Sequence, residues 1–190
     1  MAKALSRGSW FGLRYAPSEL GKRVVAAVVG DDEGALAERG RLLNNTAVDM
    51  AESGDRAGAL DAVREAVTIR RRLAQANPAA YEPNLATSIN NLANRLSETG
   101  DRAGALDVAR EAVTIRRRLA QANPAAYEPD LAKSLCVLAM ALSAYDQKKL
   151  AAESATEAVT RLRPWAAKFP EVYGDLLGFA EALVAKFGAP

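Results

Sequence analysis

Residues 54–83 read GDRAGALDAVREAVTIRRRLAQANPAAYEP, and residues 100–129 read GDRAGALDVAREAVTIRRRLAQANPAAYEP. The copies differ only where Ala62-Val63 becomes Val108-Ala109. Carried forward by the same 46-residue offset, Glu65-Ala66-Val67 and Glu111-Ala112-Val113 land on Glu157-Ala158-Val159. Tyr81 and Tyr127 land on Tyr173, and the two Asn-Pro pairs on Phe169-Pro170. There are three copies, the third the most diverged. A fixed period of this length signals stacked units, each burying its apolar face on its neighbours.

Each unit reads as two helices. In the middle copy Leu85, Ile89, Leu92 and Leu96 share one helical face, with Thr87, Asn90, Asn91, Asn94 and Glu98 on the other. This helix is expected to start near Asn84, after Pro83, and to stop at Gly100. A second is expected from about Arg102 to Ala122, with Val108, Ala112, Ile115 and Leu119 as its apolar stripe and Asn123-Pro124 as its end. The short turn between them forces an antiparallel pair. At the C-terminus, Leu176, Phe179, Leu183 and Phe187 predict a lone helix that caps the array. Pro164 is expected to kink or end the helix before it. At the front, residues 18–30 read as a short helix with Ser18 as N-cap and Gly30 as stop. The first residues, with Trp10, Phe11 and Tyr15, show no period.

Composition excludes several functions. Histidine is absent, which removes the usual general base and the commonest metal ligand. One cysteine, Cys136, supports neither an internal disulfide nor a zinc site, and no phosphate loop is present. No cofactor, metal or catalytic residue is therefore expected. The longest apolar run, VVAAVV at 24–29, is far shorter than the ~20 residues of a membrane span. A net charge of +2 does not favour nucleic acid as a partner. The single cysteine and the absence of a signal-peptide pattern make a reducing cytoplasm the expected setting, and the alanine and arginine content fits a bacterial genome.

Small residues recur in register: Ala47, Ala59 and Ala66, then Ala93, Ala105 and Ala112, then Ala139, Ala151 and Ala158. With Ile89, Leu92, Ala93, Ala105, Ala112 and the turn at Gly100-Asp101, this pattern resembles the tetratricopeptide repeat. The longer period is similar to the repeats of actinobacterial multidomain regulators and of kinesin light chains. The first copy departs from the pattern, with Thr46 where leucine is expected.

That resemblance implies an all-α, right-handed superhelical array of antiparallel helix pairs. Three repeats at about 40–85, 86–131 and 132–177 would follow an N-terminal segment at 1–34. It implies a non-catalytic interaction module that binds a peptide or partner domain in its concave groove. The groove positions would be Arg41, Asn44, Asn45 and Val48 in the first copy. They would be Thr87, Asn90, Asn91 and Asn94 in the second, and Lys133, Cys136, Val137 and Met140 in the third. A side-chain amide pairs with a peptide bond, and Arg41 and Lys133 suit a carboxylate. Val137 stands where family members that clamp an acidic C-terminus carry a basic residue. The alternative is self-association into oligomers or filaments through similar faces. Binding of nucleic acid along the IRRRL arginines, placed on the outer surface, ranks below both.

Overall fold

The computed structural model describes residues 16–28 and 30–188. These form α1 (Ala16–Ala27), α2 (Glu33–Glu52), α3 (Arg56–Ala76), α4 (Pro78–Glu98), α5 (Arg102–Ala122), α6 (Pro124–Ala144), α7 (Lys148–Lys168) and α8 (Pro170–Phe187). No strand occurs among the described residues. Trp10, Phe11 and Tyr15 lie outside them. None of the helices is long and apolar enough to cross a membrane.

Local chemistry sets the boundaries. Asn77 closes α3 by donating its N–H to Leu73 O at 2.8 Å, and caps α4 by accepting from Ala80 N at 3.3 Å. Asn123 does the same between α5 and α6, at 2.9 and 3.2 Å. The following proline lacks a donor that the first turn would leave unused anyway. So α4 starts at Pro78, earlier than Asn84, and Pro83 lies inside it. The carbonyls that Pro83 and Pro164 cannot pair with, on Ala79 and Thr160, belong to exposed residues, and both helices run on. The period-based divisions at 86 and 132 fall within α4 and α6, and α1 begins before Ser18.

The turn inside each pair needs one residue with a left-handed backbone. Gly54 and Gly100 supply it at φ 90°, and Asp146 takes the same place at φ 60°. Asp55 and Asp101 then cap α3 and α5, each accepting a backbone N–H at 2.9 Å.

All nine in-register alanines are at most 1% exposed. Without a bulky side chain they let neighbouring backbones close up. Each helix packs on the one before and the one after it. In addition α2 touches α4, α4 touches α6 and α6 touches α8, whereas α3, α5 and α7 do not touch one another. The first helices therefore crowd on the inner side and the second helices splay on the outer side. Ion pairs bridge the outer gap, Arg71 to Glu111 and Arg117 to Glu157, both at 2.6 Å. Exposed pairs of this kind contribute little each.

Thr46, the departure in the first copy, faces α1. A Cβ on Gly21 would lie 2.6 Å from its hydroxyl, so the two helices meet here with no room for a side chain on Gly21. One period on, the same positions are Val67 and Leu92, both buried. The front helix thus occupies the place of a second helix of a preceding unit. At the other end, α8 and the residue that ends it present Asp175, Gly178, Glu181, Ala182, Ala185 and Gly188, all exposed. In α6 the same positions are Pro129, Ala132, Leu135, Cys136, Ala139 and Leu142, all buried. The face on which a further unit would stack has therefore lost its large apolar side chains and gained two carboxylates. The buried stripe of α8 runs through Ala180, Leu183 and Phe187, and Phe179 is exposed, contrary to its assignment to that stripe.

Replacing Gly21 with leucine is expected to lift α1 off α2. Hydrogen exchange at residues 21–28 should approach that of an unstructured peptide, with the rest of the array unchanged. Converting Glu181 to leucine and Asp175 to alanine removes both carboxylates and restores the leucine that α6 carries as Leu135. Sedimentation of that variant should show a mass that rises with concentration.

Candidate functional site

The inner side of the array carries the residues that its lining depends on. Arg41 is exposed and held by Glu38 in two hydrogen bonds of 2.8 and 2.5 Å, which lower the carboxyl pKa and raise that of the guanidinium. Asn45 and Lys133 are exposed, Val48 is 40% exposed, and Thr87, Asn91 and Asn94 are half-buried. Asn44 and Asn90 are turned into the interfaces between first helices, at 8% and 6% exposure, and Cys136 and Val137 are buried too. Burial pushes the Cys136 thiol up to about 11, which leaves it an inert packing group.

A cleft of about 340 Å³ opens between α4 and α6, lined by Ala93, Asn94, Arg95, Ser97, Glu98, Val137, Met140 and Ala141. Its floor is apolar, and Arg95 pairs with Glu98 at its rim at 2.9 Å. Asn94 and Met140, which sequence places on different units, line this one cleft. Asn91 and Asn44 also come together, with Asn91 Nδ2 donating to Asn44 Oδ1 at 3.0 Å.

Behind the lining lie residues that sequence reasoning placed elsewhere. The IRRRL arginines do not form a common outer stripe. Arg70 and Arg116 are 7% and 4% exposed. Arg71 and Arg117 bridge the outer helices, and Arg118 pairs with Glu82. Arg70 Nη1 donates to Asn84 O at 2.7 Å and to Ser88 Oγ at 2.6 Å. Ser88 Oγ donates to Asn44 Oδ1 at 2.9 Å. In the next unit Arg116 lies 2.8 Å from the Asp130 carboxylate and donates to Thr87 Oγ1 at 2.7 Å, while Asn90 Nδ2 donates to Ser134 Oγ at 2.8 Å. Burial lowers the pKa of both arginines, that of Arg70 to about 10, and Asp130 opposes the shift at Arg116. The signal was available, because the stripe Val63, Val67, Arg70, Leu73 puts an arginine on an apolar face.

One period further, all four positions turn apolar together. Asn90, Arg116, Asp130 and Ser134 occupy one interface. In the next, Cys136, Leu162 and Ala180 are buried and Leu176 is partly so. A buried arginine needs its polar partners, and where it is absent none of them is kept.

Asn90 Oδ1 is buried with no hydrogen-bond partner. Installing the third interface's pair, with Asn90→Cys and Ser134→Ala together, removes that orphan and is expected to stabilise the fold by about 1 kcal/mol in urea unfolding. Arg70→Leu alone leaves Ser88 and Asn84 O without their donor and is expected to cost about 3 kcal/mol in the same assay.

Residues 85–125 match the family model of the tetratricopeptide repeat. No curated protein matches the chain. Among solved structures the chain is similar to the nearly identical TPR-like repeats of a putative kinesin light chain from Podosopora anserina. That likeness has 22% identity and a TM-score of 0.39, and covers 92% of this chain and 95% of the other. A variant of the same protein scores 0.40 at 22% identity, with the same coverage. The MamA RS-1 ArsTM double mutant is similar at 18% identity and a TM-score of 0.39, over 90% of this chain and 92% of the other. Tetratricopeptide repeats are in general non-catalytic protein–protein interaction modules. The matched span carries the tetratricopeptide repeat, and its sequence recurs along the chain at the 46-residue period.

Proposed function

We propose that the protein is a non-catalytic interaction module that holds a peptide or a segment of a partner domain in the groove formed by α2, α4, α6 and α8. One observation carries this reading. The near-identity of residues 54–83 and 100–129 covers the second helices and the loops and stops where the first helices reach the groove. Along α4 and α6 the core positions persist: Leu85 and Leu131, Ser88 and Ser134, Leu92 and Leu138, Ala93 and Ala139, Leu96 and Leu142. The groove positions do not. Thr87 becomes Lys133, Asn90 becomes Cys136, Asn91 becomes Val137, Asn94 becomes Met140, Arg95 becomes Ala141 and Glu98 becomes Ala144. From α4 to α6 most of the packing is kept, with Ile89 becoming Leu135, and the larger changes of chemistry fall on the inner lining. Stacking needs alone would have left that lining alike.

The change also gives the groove a direction. Its front half offers amides and hydroxyls from Asn45, Thr87, Asn91 and Asn94, and its rear half offers Met140, Val137 and the exposed Phe179. A polar segment suits the first and an apolar side chain the α4–α6 cleft. Asp175 and Glu181 on the stacking face of α8 work against growth by head-to-tail self-association at that end.

Peptides selected from a random display library on the full chain provide the test. Asn45→Ala and Met140→Glu are each expected to weaken the selected peptides by about tenfold or more, with helical circular dichroism unchanged. Peptides that bind both variants as tightly as the parent, or that map to the outer helices, would reject the groove.

A further inference from the structure

We propose that Asn44 and Asn91 form one donor–acceptor pair for the backbone of an extended segment, and that buried Arg70 is the positioning residue that sets the polarity of this pair. The inference rests on the groove reading above and names the chemistry that the first unit recognises.

The argument is one of proton direction. A guanidinium has no acceptor atom. Arg70 Nη1, 2.6 Å from Ser88 Oγ, can therefore only donate to it. Ser88 has one proton left, and its other polar neighbour, 2.9 Å away, is the side chain of Asn44. The atom of Asn44 that meets it must be the carbonyl oxygen. That oxygen also meets Asn91 at 3.0 Å, so the atom of Asn91 turned to it must be the amide nitrogen. Both amides are thus oriented by chemistry. What remains is Asn44 Nδ2, a donor, and Asn91 Oδ1, an acceptor. Neither bonds within the chain and neither is among the sealed atoms that lack a partner, so both keep some exposure at the edge of the α2–α4 interface. In an extended chain the N–H and C=O of one residue point to the same side, which is the pattern such a pair satisfies. A helical ligand has already spent those groups internally.

The second unit shows what reverses the relay. Asn84 becomes Asp130 there, and the Asp130 carboxylate draws Arg116 away from the serine. Ser134 then gives its proton to Asp130 O at 3.1 Å and accepts from Asn90 Nδ2. Asn90 is turned the other way from Asn44, its oxygen is sealed, and Val137 stands where Asn91 would be. Arg116 is held by the Asp130 carboxylate and the Thr87 hydroxyl, where the first unit has Asn84 and Arg41, and only the first unit has the pair.

Side-chain amide NMR on the full chain decides it. In the free parent, the Asn91 Nδ2 protons should exchange slowly with solvent and those of Asn44 fast. Asn84→Asp, which installs the residue found one period on at an exposed site, should reverse the direction and protect Asn44 Nδ2, with circular dichroism unchanged. Arg70→Met should release Asn91 Nδ2, and Asn84→Asp keeps the test intact if that variant does not fold. Acetylated pentaglycine methylamide should shift both amides of the parent and bind Asn84→Asp about tenfold more weakly. Equal protection of the two amides in the parent, or no response to Asn84→Asp, overturns the relay. Exchange as expected but no shift at either amide with the peptide rejects the groove reading instead. Equal or stronger shifts with propionamide mean that a side-chain amide is the ligand and overturn the extended-backbone assignment.

Discussion

Everything in this molecule depends on how closely two helices approach at an alanine. Nine alanines, three to a unit, lie in register and at most 1% exposed, and they fix the distance between successive helices. At that separation an inner helix reaches the next inner helix, whereas the outer helices remain apart. Curvature follows from this inequality. Once the array curves, the inner helices present side chains to a shared hollow, and the outer arginines have a gap to bridge. A larger residue at any of these alanines would act on the groove before it acted on the helices themselves.

The period, the helix pairs and the terminal helix were legible because each rests on a repeated local signal. The helix starts were less so. Asn-Pro reads as a stop, and it is one, but Asn77 and Asn123 also cap the next helix, so six residues assigned to a loop at 78–83 are the first turns of α4. Proline inside a helix reads as a break, yet at Pro83 and Pro164 the lost bond falls on the carbonyl of an exposed residue. Of the groove, the exposed positions Asn45 and Lys133 and the cleft residues Asn94 and Met140 lie on the surface where helical spacing puts them. Asn44 and Asn90 do not, because the neighbouring first helix covers that side, and no single helix records its neighbour. Arg70 and Arg116 were misplaced for the opposite reason. Their spacing marks an apolar face, but a charge is assigned to water unless partners for it are already known.

The buried arginines give the interfaces between units a chemical identity. Near-identical units risk packing in the wrong order, since the outer surfaces of the first two offer the same residues. A polar interface cannot be exchanged for an apolar one without stranding a charge or an amide. The apolar set at Cys136, Leu162, Leu176 and Ala180 therefore distinguishes the last junction from the first two. Together with the carboxylates on the outer face of α8, it ends the array in one place. The first two junctions are both polar, and they differ in carrying Asn84 or Asp130 and in the direction of their hydrogen bonds.

That difference bears on how a duplicated protein acquires function. Thirty residues copied almost unchanged produce the same backbone and the same buried arginine, yet Arg70 and Arg116 do different things. The difference lies on the neighbouring first helices, outside the copied stretch, at residue 84 or 130 and at residue 41 or 87. A carboxylate there captures the arginine through charge, and an amide leaves it to the serine. The groove amide behind that serine then faces one way or the other. The scaffold thus need not change for its lining to change, because first-helix residues, acting through a buried arginine present in both units, turn the polarity of a side chain on another helix. Change on the first helices alone is enough to give each unit its own lining, and it is there that the two copies carrying the near-identical stretch differ.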